Sequence, residues 1–376
     1  LKFDSLRLKD SVIRIELGNG RSEMLSDADI EITQQRRKGQ VAAKGSVSLR
    51  GQKVAIDTTL NVASDNFKIA RAPFKARIKS EMLDMFVEGT LSLGDTVLLQ
   101  GDGEVSIADV REAARWLGYG WPGGPGLKAF KAKGSLEWTG PTFAFQRAKV
   151  QMDGNEAQGT VSFRSTGGRP TINGTLALGT LDVTSYVKGW KPATSTIEGV
   201  LSPGQGPFAL PLAQALDSDL RLSADRVVAN GMELGRGAAT LTLKDGRLLA
   251  DLAELELFGS RIAGLLTVDT RGGEPRYALK AKLASTDLGP VTLALGLGNG
   301  SLLQGRGDIA ADVVATGAAA ADILRTASGK MTVSVKEGGR IGFDFRSLSQ
   351  MARTKPLQGW NHARRTTTAI DALDAR

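Results

Sequence analysis

One histidine, no cysteine and a scatter of carboxylates are all that this 376-residue chain offers to side-chain chemistry. His362 stands in a basic Asn-His-Ala-Arg-Arg stretch. A zinc centre needs several His, Cys or carboxylate ligands, and a hydrolytic triad needs its His beside a nucleophile. His362 has no such company in the sequence and reads as a surface residue. Carboxylates recur at i, i+2 in Asp27/Asp29, Asp217/Asp219 and Glu254/Glu256. On a strand each pair shares one face, where burial could split two pKa values for acid–base work. Nothing in the flanking residues predicts that burial, so the pairs read as solvated. Gly296-Leu297-Gly298-Asn299-Gly300 lacks the spacing of a dinucleotide loop, and Gly329-Lys330 is followed by Met331 where a phosphate loop requires Ser or Thr. Arg306-Gly307-Asp308 is a common tripeptide, and Asn173-Gly174-Thr175 and Asn299-Gly300-Ser301 read more simply as turns than as glycosylation sites. The expectation is a protein with no catalytic residue, no metal and no cofactor: not an enzyme.

The absence of Cys excludes disulfides and thiolate sites and suits either the cytosol or a bacterial periplasm. The formal charge of +8 and a pI near 9.6 favour anionic surfaces. Aromatic residues are only 5%, too sparse for the stacking platforms of single-strand binders, so nucleic acid is not an expected partner. No run of apolar residues reaches the ~18 needed for a membrane span. The chain opens at Leu1, and its first residues already read as a strand, so we read it as a segment of a longer protein.

What must position any function here is strand after strand. Val41, Ala43, Val47 and Leu49 alternate with polar residues, and Phe74 and Ile78 stand against Lys75, Arg77 and Lys79. Leu91 and Leu93 continue the pattern, as do Phe130, Leu136 and Trp138, then Ile172, Leu176 and Leu178. In the second half the apolar positions are Leu241 and Leu243, then Ile262, Leu266 and Val268, then Tyr277, Leu279 and Leu283. Period two marks half-buried strands with one apolar and one wet face, and turn signals every 8–14 residues mark antiparallel meanders. These apolar positions are the candidate lining of a groove. Leu266 should face into it and Thr267 away. Gly45, Gly89, Gly134, Gly159 and Gly174 occupy equivalent places in five similar strand motifs, the signature of a repeated architecture.

Helices are few. Asp109 with Glu112 predicts a capped helix to about Leu117, with Val110, Ala114 and Leu117 packing on the sheet. Further helices are expected over Ala318–Ala327, closed by Gly329, and near Phe345–Arg353. The fold expected is mostly β: an elongated, curved antiparallel repeat sheet forming an apolar groove, with a few short helices. Residues rich in Pro, Gly, Ser and Thr at Pro192–Pro211 separate an N-terminal groove segment (1–195) from a C-terminal β segment (206–376), or form a loop in one continuous sheet.

Several segments in order carry a family resemblance. They are Val105–Val110, Arg115-Trp116-Leu117-Gly118, Gln151-Met152-Asp153-Gly154, Gly168-Arg169-Pro170 and Leu181–Tyr186. Asp219–Ala224, Leu257-Phe258-Gly259, Gly305–Ala311 and Gly329–Phe343 follow. Together, from Val105 to Arg346, they resemble the AsmA family, with local departures at Ser260 and Phe343. The resemblance implies a periplasmic protein, anchored to the bacterial inner membrane by a segment outside this sequence. It also implies a long bent sheet with an apolar trough and a role in moving phospholipid for outer-membrane homeostasis. The partners implied are phospholipid acyl chains, the membrane and other envelope proteins. Two other readings fit the same strands: an assembly factor pairing its sheet edges with outer-membrane clients, and a closed structural β protein that takes no lipid.

Overall fold

The computed structural model describes residues 4–17, 21–35, 39–62, 69–94, 96–119, 126–166, 168–186, 212–229, 232–257, 260–294, 303–318, 320–342, 368–370 and 373–375. The chain is mostly β, built from antiparallel strands with a few short helices, as the alternation requires. It divides into two compact units, residues 1–181 with 211–222 and residues 182–210 with 223–376. The sequence boundary at Pro192–Pro211, the helix expected near Phe345–Arg353 and His362 all lie outside the described residues.

Unit 1 is an up-and-down meander. Its strands are β1 (Ser5–Leu17), β2 (Arg21–Gln35), β3 (Gln40–Leu49), β4 (Gln52–Asn61), β5 (Ala72–Lys79), β6 (Leu83–Leu93) and β7 (Val97–Ile107). After helix α1 (Val110–Trp116) come β8 (Phe130–Thr139), β9 (Thr142–Met152), β10 (Asn155–Arg164) and β11 (Thr171–Asp182). From β1 to β11 each strand pairs with the next in sequence. A short helix, α2 (Leu212–Ala215), precedes β12 (Asp217–Ala229), and the division between the units falls within that strand.

Unit 2 repeats the plan. β13 (Met232–Leu234) pairs with the end of β12, and β14 (Gly237–Lys244), β15 (Arg247–Leu257), β16 (Ser260–Asp269) and β17 (Arg276–Asp287) form a meander. Helix α3 (Leu288–Ala294) leads toward β18 (Leu303–Thr316), and α4 (Ala320–Thr326) leads to β19 (Ser328–Ile341). β18 pairs with β17 and β19, and the short β20 (Thr368–Ile370) and β21 (Leu373–Ala375) add to β19. Gly329 does not close the expected helix; α4 ends at Thr326 and Gly329 already lies in β19. The Thr326 hydroxyl donates to the Asp322 carbonyl and accepts the Thr316 N–H at 2.9 Å each, tying the last turn of α4 to the strand before it.

Bulges shape both units. Register slips lie beside Asp27 in β2, Arg147 in β9 and Ser285 in β17, each with a left-handed φ of 47–51°. A bulge raises local twist and bends its strand. Gly45 pairs with Ile30 just beyond the Asp27 bulge, where a β-carbon would collide with the Asp29 carbonyl, so only glycine lets β2 and β3 close there.

Candidate functional site

The register decides which side chains share a face, because directly opposed residues project to the same side of a sheet. In unit 1, Trp138 of β8 faces Leu99 on one side and Phe143 on the other. The same row continues to Phe163 and Ile172, and from Leu99 back to Leu91 and Ala72. A neighbouring row joins Val41, Leu60, Phe74 and Gly89. Followed in this way, Val41, Ala43, Val47, Leu49, Phe74, Ile78, Leu91, Leu93, Phe130, Leu136, Trp138, Ile172, Leu176 and Leu178 all lie on one face of unit 1. In unit 2, Leu243–Leu248–Val268–Tyr277–Ala315 and Leu241–Ala250–Leu266–Leu279–Val313 are adjacent rows. Ile262 and Leu283 continue that face toward Ile309, while Thr267 projects to the opposite side with Leu249 and Ala278.

The other face is wet and charged. Lys44–Asp57, Lys75–Glu88, Arg77–Asp84, Glu104–Lys133 and Lys280–Asp312 form cross-strand ion pairs on it. These exposed pairs add little stability each, but they discourage burial of that face. The carboxylate pairs are likewise engaged in structure. Asp29 accepts the Asp10 backbone N–H and Asp27 the Ser26 hydroxyl; Asp217 pairs with Arg169 at 3.3 Å and Glu254 with Arg261 at 3.2 Å. Among the described residues no group of three or more His, Asp or Glu could hold a metal.

Within the apolar face the candidates fall into three environments. Val47, Leu91, Leu136, Leu178, Leu243, Val268 and Tyr277 are buried, and burial raises the Tyr277 phenol above its ordinary pKa. Val41, Ala43, Leu49, Phe74, Ile78, Phe130, Ile172, Leu176, Leu241, Ile262, Leu266 and Leu283 are half-buried. Leu93, Trp138 and Leu279 stay open to solvent at 45%, 36% and 41%. Four further open side chains on this face escaped the sequence reading: Leu6, Ile15 and Phe163 in unit 1 and Met331 in unit 2, at 45%, 42%, 40% and 47% exposure. Trp138 and Phe143 stack at 5.5 Å, and the Trp138 indole donates to the Gly140 carbonyl, so this open row is held in place.

Helices cover part of each face. The Asp109 carboxylate caps α1 by accepting the N–H groups of Arg111 and Glu112 at 2.9 and 3.0 Å. Ala113 and Ala114 are buried, but Leu117 is exposed; Trp116, not Leu117, packs on the sheet, against the Ala28–Val47–Val54 cluster. The helix spans Val110–Trp116 with Leu117 as its C-cap, as the capping residues predicted. In unit 2, Ile323 of α4 packs on the Val268–Tyr277–Ala315 cluster. Leu288 of α3 is fully buried and lies where a β-carbon at Gly307 would touch it. The segments that carried the family resemblance act as structural joints: Asp153 accepts the N–H groups of Leu127 and Lys128, and Asp182 accepts that of Thr184. The Thr184 hydrogen bonds hold the Asp182 carboxyl below its ordinary range.

Unit 1 is concave on its apolar side. Seven strand spacings separate β3 from β10, about 34 Å across a flat sheet, with a further ~40 Å of offset along the strands between Arg50 and Ser165. Yet Arg50 is packed against Gly118, and the next residue, Tyr119, hydrogen-bonds Ser165 at 2.7 Å. An extended arginine, one peptide step and an extended tyrosine reach about 26 Å at most. Only a sheet curled toward its apolar face brings those ends so close.

No helix among the described residues is long and apolar enough to cross a membrane, which leaves membrane-crossing strands unaddressed. No curated protein and no solved structure matches the chain. A family model does match, over residues 192–367, which contain most of unit 2; the resemblance read from Val105 onward extends further toward the N-terminus than this match. The model that residues 192–367 match is that of the AsmA family, the family that the sequence resembles.

Proposed function

We propose that this chain is a periplasmic, non-enzymatic lipid carrier. It holds phospholipid acyl chains on its apolar faces and moves them between the inner and outer membranes. One observation carries the reading: in each unit every apolar position of the alternating pattern falls on a single face, and large side chains on that face remain open. A sheet with one apolar face must cover it with protein or with ligand. Helices cover the Val47 and Val268 clusters, whereas Trp138, Phe163, Leu279 and Met331 stay 36–47% exposed.

Acyl chains suit that surface. Each buried methylene is worth about 0.8 kcal/mol, so a 16-carbon chain gains at most ~12 kcal/mol, spread over many equivalent positions. Such a surface retains a chain without one deep site, and the chain can slide. The match of residues 192–367 to the AsmA family model supports the envelope setting. The test is mass spectrometry of organic extracts from purified protein, with photocrosslinkers placed at Trp138 and Leu279. Phospholipid in the extract and crosslinked to both positions is expected. A protein free of lipid after gentle purification, with no crosslinks in phospholipid vesicles, would leave a structural or assembly role instead.

A further inference from the structure

We infer that α1 and the two residues beyond its C-cap form a strap across the mouth of the unit 1 trough, latched by Tyr119 and Ser165, and that acyl chains pass beneath it. The inference rests on the lipid-carrier reading above.

The strap is fastened first at the β3–β4 corner. There the Arg50 guanidinium pairs with the Glu23 carboxylate on β2 and donates to the Trp116 carbonyl at 3.3 Å. The Trp116 indole donates to the Leu49 carbonyl at 2.9 Å, and its ring lies on the Ala28–Val47–Val54 cluster. This end is a firm anchor of one ion pair, two hydrogen bonds and a packed aromatic. Gly118 follows with φ +84°, and a β-carbon there would strike the Arg50 guanidinium. Glycine therefore serves both the left-handed turn that ends the helix and the close approach of the anchor.

The far end is lighter. Tyr119 reaches the opposite wall and shares a single hydrogen bond with Ser165, just past the end of β10 and two residues beyond the open Phe163. Both walls of the concavity are thus joined through one short segment, with the open Trp138–Phe143–Phe163 row on the same apolar face. A firm hinge and a single-bond latch make an element that can open at one end. Sideways entry of a lipid would break Tyr119–Ser165, while sliding along the trough would leave it closed.

Exchange kinetics test this on the whole protein, using phosphatidylethanolamine–phosphatidylglycerol vesicles that contain an acyl-labelled fluorescent phospholipid. Tyr119→Phe keeps the ring and removes the bond, so lipid should leave about three to ten times faster, matching the net worth of one hydrogen bond. The chain has no native cysteine, so Tyr119→Cys with Ser165→Cys can be joined by a short bismaleimide. Joining should slow sideways exchange at least as much as Tyr119→Phe speeds it. Unchanged exchange in both variants, with lipid bound normally, overturns the strap and leaves the carrier reading standing. A wild-type protein that takes up no labelled lipid overturns the carrier reading. In that case hydrogen exchange still judges the latch: amides 113–119 should exchange faster in Tyr119→Phe, and equal rates would show that no latch exists.

Discussion

The two units bury the same kind of face in different ways. Unit 1 spans its concavity with one helix held at a far corner, and its open row lies at the strand ends around Trp138 and Phe163. Unit 2 instead places a helix at each end of its strands. Ile323 covers the Val268–Tyr277 row, Leu288 covers Gly307, and Leu279 and Met331 stay open between them. The difference follows from where the helices enter the chain. α1 follows β7 and crosses toward β3, whereas α3 and α4 follow the opposite ends of β17 and β18 and fold back locally. A sheet face can therefore be closed in sectors, and the sectors left open are those where function is expected.

The largest contrast should come from charges placed in closed and open sectors. Val268→Glu puts a carboxylate at a position only 1% exposed, which should cost about 4 kcal/mol or more and unfold unit 2. Leu279→Glu, one row away, should change stability by no more than about 1 kcal/mol while abolishing lipid crosslinking nearby. Thermal melts beside crosslinking yields read both; equal unfolding by the two variants would mean that the Leu279 sector is core. Leu266→Glu should fall between them, because Leu266 packs on the edge of the Val268 cluster, and Thr267→Glu should do little on the wet face.

Next in size are the covering helices. Leu288→Ala should cost about 2–5 kcal/mol and Trp116→Ala about 3 kcal/mol, measured by urea denaturation. Trp116→Ala should also speed lipid exchange, since it frees the anchored end of the strap, whereas Leu288→Ala should not. If both variants changed exchange alike, the two helices would be equivalent lids and the contrast between the units would dissolve.

The smallest effect concerns the β16–β17 turn. Hydrogen bonds from Arg271 hold the Asp269 carboxyl well below its ordinary range. A carboxyl depressed in the folded state adds stability that is full above the unfolded value near pH 4 and is lost as pH falls through the folded one. The wild-type protein should therefore lose slightly more stability between pH 4 and pH 2 than Asp269→Asn does. The pair is solvent-exposed, so parallel curves of denaturation midpoint against pH would show that screening removes its contribution.

Much of this was legible in the residues themselves. Unbroken alternation, as in Phe130–Trp138 or Tyr277–Leu283, was enough to assign a face, because period two leaves no other choice while the strand is regular. The reading faltered where regularity did. In β9 the apolar positions run Phe143, Phe145, then Ala148, Val150 and Met152, changing phase at the Arg147 bulge. In β2 the same change separates Leu25 from Ala28, Ile30 and Ile32 around Asp27, and in β15 it separates Leu252 from Leu255. An extra residue looks like lost amphipathicity in one strand, and only its partner shows that the face continues. Helix α3 was missed for a related reason: the seven residues Leu288–Ala294 are too few to show a period.

The sequence by itself determined that the chain would be β, which side of each regular strand would be apolar, and where α1 would be capped. Each of these depends on neighbours along the chain, through strand period and the hydrogen-bonding reach of Asp109. Tertiary structure alone decided which apolar residues would be covered. Trp116 meets Leu49 and Tyr119 meets Ser165 across 67 and 46 residues, because bulges and inward glycines curl the sheet until distant strand ends approach. Curvature sums small twists over many strands, so no local window of sequence contains it.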